Sequence, residues 1–426
     1  MNTDAGTRRF PRSSPYWPVL THPRLGRVLP GLVVSAIGDG MSTVAIGWLA
    51  LQLAPPGQGG TWVALAVTAY LLPGAAGGVL FGRFLRGRSG AQLAGWNATL
   101  RATALAAVAL VYAAGHLTLG VYVTLLAISS LLNAWGSAGR YTLIAELLPT
   151  EHHLPANAVL TTIGEFATIV GPPLAGLLIA WTDAAVVILV DAATFAVLAL
   201  TYRLAVPQAK RTEGSRESGG LAVIRRDRKL LGLLALSFGF FVLFGPTYAA
   251  LPVHVADDLH APATVLGWYY TAFGVGAVIG GIVTGYLRRW SLWPATIGIV
   301  LAFGVTMLPL GLGAPLPVAV LCFGLGGAVW APYLSVYMAL FQRSTPADRL
   351  ASALAANGAI LMLAVPLGTV LGGPVVTAIG AQPTLLACAI GTVVLGVVAA
   401  VTVAVGRRRR RSGATGHGVT GRASSR

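Results

Sequence analysis

Charged side chains are scarce, at 10% of the 426 residues. A soluble domain carries about 25%, so this chain has too little polar surface to face water, which argues against a water-soluble enzyme. Cysteine is scarcer. Cys322 and Cys388 lie far apart in apolar runs, and neither belongs to a CxxC or Cys/His cluster, so both read as packing residues rather than a metal or redox site. The seven histidines fall in loops or tails. Glu151-His152-His153 sits on a short connection and reads as solvated loop, and no HExxH or nucleophile-elbow arrangement occurs. No metal and no cofactor is expected.

Apolar sequence takes the place of what is missing. Hydrophobic residues make up 55%, and mean hydropathy is +0.75. Runs bounded by charge, Pro or Gly predict helices near 28–53, 61–85, 91–114, 118–140, 155–181 and 184–204. After a polar stretch, six more follow near 230–253, 263–287, 293–313, 317–341, 351–379 and 382–405. The expectation is an all-α membrane protein of twelve transmembrane helices in two six-helix bundles, 28–204 and 230–405. A cytoplasmic tail 1–27, a linker 205–229 and a basic tail 406–426 complete the chain.

The net charge of +16 raises the possibility of nucleic acid, but its placement argues against it. Lys and Arg gather in the amino tail, in the even-numbered inter-helix connections and in the carboxyl tail, with only Arg101 well inside a span. The positive-inside rule then puts both termini in the cytoplasm of a multi-pass protein of the cell (inner) membrane. The run Arg407 to Arg411 directly follows a span and reads as an anchor on anionic lipid. No cleaved signal is expected.

The chain repeats itself. Gly77, Gly78, Gly82 and Arg86 recur as Gly280, Gly281, Gly285 and Arg289, while Pro149, Glu151, Gly171 and Gly176 recur as Pro346, Asp348, Gly368 and Gly373. A duplicated six-helix unit makes a pseudo-symmetric bundle pair with a central cavity, the architecture of alternating access. Steps such as Gly78-x-x-x-Gly82 bring helices close where lipid supplies no hydrophobic drive. Gly274, Gly276 and Gly280 lie inside a membrane helix with no preceding strand, which rules out a nucleotide-binding reading.

On these residues the chain resembles the major facilitator superfamily from about 28 to 405. Gly78 to Gly87 is similar to the signature after that family's second helix: Arg83 and Arg86 match, with Gly82 where the signature has Asp. Ser35-Ala-Ile-Gly38-Asp39, Ala156-Asn157-Ala158 with Gly171-Pro172-Pro173-Leu174-Ala175-Gly176, and Gln342-Arg343-Ser344-Thr345-Pro346 resemble the drug:proton antiporter branch that includes macrolide-efflux proteins and the enterobactin exporter. The resemblance implies the major facilitator fold, export, and gating roles for Gly78, Gly82, Arg83, Arg86, Gly171, Pro172 and Gly176.

Four ionisable residues lie well inside spans, all in the amino-terminal half: Asp39, Arg101, Glu165 and Asp191. Asp39, Arg101 and Glu165 each sit roughly 15 Å from the cytoplasmic ends of their helices. Charge at that depth marks ion or substrate pathways. Asp39 reads both as a salt-bridge partner of Arg101 and as a proton-coupling group, and Arg101 as the charge partner. Glu165 and Asp191 are further coupling candidates, although Asp191 equally suits bonding to polar groups of neighbouring helices. Trp330, Tyr333 and Tyr337 share one face of the tenth helix, and Phe241, Phe244 and Tyr248 one face of the seventh. Asn133, Ser130 and Ser137 make the fourth helix polar. By resemblance these helices line a cavity, and the combination suits an amphiphilic, cationic molecule, although ordinary packing explains aromatic stripes equally well.

The expected activity is export of a small drug-, antibiotic- or siderophore-like molecule by proton antiport, from a monomer whose partners are substrate, protons and lipid bilayer. Nutrient uptake, lipid movement between leaflets, a passive channel and a membrane-embedded enzyme are the alternatives, the last lacking a catalytic cluster.

Overall fold

A computed structural model describes residues 16–81, 88–149, 152–205, 220–284, 291–345 and 350–416. These are helical almost throughout. A four-residue helix α1 (Trp17–Leu20) precedes the first crossing, α2 (Leu25–Leu53). The second crossing is α3 (Gly59–Leu71) with α4 (Pro73–Leu80), and the third is α5 (Gly90–Ala113). The fourth is α6 (Leu119–Ser130) with α7 (Asn133–Leu147); α8 (His153–Trp181) and α9 (Ala184–Ala205) follow. A short helix α10 (Gly220–Arg226) lies in the stretch read as linker.

The second half runs through α11 (Arg228–Phe244) with α12 (Thr247–Val253), α13 (Ala263–Thr284), α14 (Leu292–Gly311) and α15 (Leu316–Ser344). It ends with α16 (Leu350–Leu361), α17 (Ala364–Ile379) and α18 (Ala381–Gly416). Eleven crossings are long and apolar enough to span a bilayer. The twelfth, the second in chain order, is cut short at Leu72.

Proline causes that cut. Pro73 has no N–H to give the Ala69 carbonyl, so the helix breaks before it. The freed carbonyl accepts instead from Ser130 Oγ at 3.0 Å. Within a bilayer no water is at hand for that group, so Ser130, expected on a polar cavity wall, is a buried structural donor. Ser130→Ala should cost about 1–3 kcal/mol, the price of one unpaired buried acceptor, read as a lower melting temperature in detergent. Unaltered melting would mean that another donor reaches Ala69.

Two other breaks follow the same logic. Pro246, with no N–H to give the Val242 carbonyl, interrupts the seventh crossing, and beside the break Thr369 Oγ1 donates to the Gly245 carbonyl at 2.9 Å. Pro366 cannot donate to Met362, where α16 ends and α17 begins. The fourth crossing departs from the sequence reading in another way. It was expected to end at Arg140, yet α7 continues to Leu147 and the apolar span runs over Leu119–Ile144, so Arg140 lies inside it. The twelfth helix likewise passes the expected end near 405 and continues to Gly416.

The repeat is visible in packing. A Cβ on Gly77 would overlap the Leu131 carbonyl of the fourth crossing, and one on Gly280 the Ala328 carbonyl of the tenth. In both halves, therefore, a glycine seats the second helix of the unit on the fourth. Gly171 lies on Gly40 of α2, and its repeat mate Gly368 lies on Val242 of α11.

Candidate functional site

Gly38 and Ser42 on α2 shape the first cluster. A Cβ at Gly38 would come within 2.5 Å of Asp191 Oδ1 and 2.6 Å of Thr194 Oγ1, so only glycine lets α9 approach this closely. Ser42 Oγ, one turn on, donates to Asp191 Oδ2 at 2.5 Å, and Thr194 Oγ1 donates to Oδ1 at 3.3 Å. Asp191 is fully buried. Between these two glycine and serine contacts Asp39 points elsewhere: its Oδ1 accepts from Arg101 Nη2 at 2.5 Å and from Tyr70 Oη. The guanidinium lies between two rings, 4.7 Å from the Tyr70 centroid and 4.3 Å from that of Phe195.

Arg101 pairs with Asp39, and the charge of the guanidinium also reaches the buried Asp191. Arg101 is 4% exposed, whereas the Asp39 side chain is 44% exposed. The pair is therefore open to solvent on its Asp39 side. The Asp39–Arg101 pair matches the sequence reading. Tyr70, Phe195, Ser42 and Thr194 were not singled out, because single hydroxyls and rings in apolar runs carry no signal of their own.

Glu165 stands apart from that cluster. It shares one stripe of α8 with Ile169, Pro172 and Gly176. These three meet α13: Ile169 Cα lies 3.1 Å from a Cβ built on Gly274, the Pro172 carbonyl 3.0 Å from one on Gly267, and Thr264 Cα 2.9 Å from one on Gly176. Glu165 continues the stripe one turn toward the start of α8, is exposed, and has no hydrogen-bond or ion-pair partner among the described residues. It lies on the stripe of α8 that is turned toward α13.

The seam itself is repeat-related. Gly176 rests on Thr264, and its mate Gly373 rests on Thr61, whose Cα is 3.2 Å from a Cβ built there. Thr61 N donates to Thr377 Oγ1 at 3.1 Å, and the two threonine hydroxyls are 2.9 Å apart. Across the halves α8 packs on α13, α3 on α17 and α12, and α2 on α12. At the other end α7 and the start of α8 have no comparable packing on α15 or α16 among the described residues. Of the residues assigned gating roles, Pro172 and Gly176 lie at these contacts, whereas Gly171 packs on Gly40 of α2 within its own half. Gly78 falls in α4, and Gly82, Arg83 and Arg86 lie outside the described residues.

The carboxyl-terminal half holds rings. Trp330 is ringed by Phe244 at 4.8 Å, Phe240 at 5.0 Å, Phe241 at 5.3 Å and Phe303 at 5.4 Å between centroids. Tyr333 packs against Phe240 and bonds to Ser237 Oγ at 2.6 Å; Tyr337 donates to Asn357 Oδ1. Both tyrosines are fully buried, whereas Trp330 and Phe244 are half-buried. Phe240, adjacent to the stripe, and Phe303, on α14, were missed. Asn133 opens α7 with its Cβ 3.0 Å from a Cβ built on Gly74, facing the second crossing.

Two repeat-related bundles, one with a buried acid–base cluster and the other with an aromatic cluster, define a membrane transporter. The Major Facilitator Superfamily profile matches residues 28–254 and 233–423, and the chain belongs to that superfamily. It is similar to the multidrug efflux pump Tap of Mycolicibacterium fortuitum, 27% identical over 87% of this chain and 94% of the relative. It is also similar to macrolide efflux protein A of Streptococcus pyogenes, 23% identical over 53% of this chain and 58% of the relative. Among solved structures, a nucleoside transporter superposes with a TM-score of 0.65 at 16% identity, covering 88% of this chain and 98% of that one. A D-xylose-proton symporter gives 0.64 at 16% identity, covering 88% and 97%. At such identities the likeness is one of fold.

Proposed function

We propose that the protein exports a small amphiphilic, cationic organic molecule in exchange for protons, by rocking the units 28–204 and 230–405 about the glycine-lined seam. The observation that carries this reading is the ion pair of Asp39 with the buried guanidinium of Arg101, next to a second, buried carboxylate, Asp191, with a third, Glu165, exposed on the stripe of α8 turned toward α13. Uptake of a proton at Asp39 or Glu165 balances charge in one state, and an organic cation balances it in the other. The efflux pumps among the relatives support the direction.

Charge placement puts both termini in the cytoplasm, so the seam closes the outer end and the cleft opens inward. Trp330 and Phe244 offer the cargo aromatic faces, with Phe241, Tyr333 and Tyr337 behind them, whereas Asn133, turned to the second crossing, is left to packing. The unit is a monomer in the inner membrane.

In proteoliposomes with an imposed pH gradient, Glu165→Gln should abolish ethidium accumulation while passive exchange persists. Trp330→Ala should raise the half-saturating ethidium concentration about tenfold, the equivalent of one cation–π contact of roughly 1.4 kcal/mol. Gradient-driven accumulation by Glu165→Gln at the wild-type rate would remove Glu165 from the coupling.

A further inference from the structure

We propose that the pocket at Arg140 binds the oxyanion, carboxylate or phosphate, of an amphiphile whose hydrocarbon part lies along α2 and α8. Arg140 lies seven residues before the end of α7, about 10 Å inside the helix, and within the apolar span Leu119–Ile144. Its Nη2 donates to Ser137 Oγ at 2.9 Å, and no carboxylate among the described residues pairs with it. A half-buried guanidinium at that depth is costly without a counter-charge. Tyr202, within its electrostatic reach, buries a hydroxyl that has no hydrogen-bond partner.

Beside this cation is a cavity of about 140 Å³, lined by Leu32, Arg140, Tyr141, Leu160 and Ile163. A water takes about 30 Å³ of liquid, so the space admits a carboxylate or phosphate head and the first carbons behind it. The guanidinium fork matches either oxyanion in two parallel hydrogen bonds. Leu32, Leu160 and Ile163 form an apolar wall beside Arg140 and Tyr141, which suits an alkyl chain behind the anionic head. Leu32 and Asp39, seven residues apart on α2, share one face about 10 Å from each other. The inner half of the protein thus carries a cationic point below its acidic one. This site is independent of the proton exchange proposed above.

The test uses the full chain in phosphatidylcholine nanodiscs. Oleate, phosphatidylglycerol and inorganic phosphate are the anionic probes, and oleyl alcohol is the uncharged one. At least one anionic amphiphile should bind saturably, about tenfold or more tighter than oleyl alcohol, and Arg140→Gln should erase that preference. Arg140→Lys should keep part of it, and Leu160→Trp, which fills the cavity and leaves the charge, should weaken binding. Oleate binding points to a soluble amphiphile and phosphatidylglycerol binding to a leaflet lipid. Equal binding of oleate and oleyl alcohol, binding of inorganic phosphate alone, no saturable binding of any anion, or retention of the preference in Arg140→Gln would each overturn the proposal. Because the oleate-to-alcohol comparison is made on the wild type, misfolding of a variant does not blur the result.

Discussion

Arg101→Gln should all but silence transport. Glutamine keeps some of the length but neither the charge nor the stacking on Tyr70 and Phe195, each such contact being worth about 0.5–2 kcal/mol. It also leaves Asp39 without its cation, in the neighbourhood of the buried Asp191. Stripping one partner from a buried pair costs about 3–5 kcal/mol; solvent reaches Asp39, so the lower part of that range applies. The expected results are a lower melting temperature in detergent and at least about a tenfold drop in gradient-driven uptake by inverted vesicles, since 1.4 kcal/mol is a factor of ten. Adding Asp39→Asn should recover stability in part, because the uncompensated charge is then gone, and the double-mutant cycle should show coupling. If Arg101→Gln melts and transports like the wild type, the cluster has no bearing on function.

The seam gives the other large effect. Replacing Thr61 and Thr377 by cysteine, in a background with Cys322 and Cys388 changed to alanine, puts two thiols where the hydroxyls are 2.9 Å apart. That separation suits a disulfide. Oxidation should then pin α3 to α17 and lower transport at least about tenfold, with recovery on reduction and no effect in either single variant. A cross-linked protein that still transports at the full rate would mean that this end of the molecule stays shut throughout the cycle.

Much of this was legible beforehand, and for physical reasons. Hydropathy fixes where crossings lie, because a bilayer admits little else, and charge marks the loops. Equal depth on two helices linked Asp39 to Arg101. The approach of Asp191 was not legible: it depends on Gly38, whose missing Cβ means something only once α9 is known to pass there. The direction of Glu165 needed the seam, since Ile169, Pro172 and Gly176 show which stripe of α8 faces α13. The break between α6 and α7 follows no proline, so nothing local announces it, and Arg140 was placed at a helix end because charge was taken to bound a span, whereas α7 carries it within the helix to Leu147. Tyr333 and Tyr337 share their sequence stripe with Trp330, but burial against Ser237 and Asn357 separates them from it.

Every intramembrane carboxylate of Asp39, Glu165 and Asp191 belongs to one copy of the duplicated unit, and the Trp330 rings belong to the other. A gene built in this way holds two functions on separate inherited modules. Under the proposed exchange mechanism, changes that widen or narrow what is carried can accumulate between Phe240 and Tyr337 while the proton-handling carboxylates are left intact, so altered resistance spectra under selection should map to that second copy.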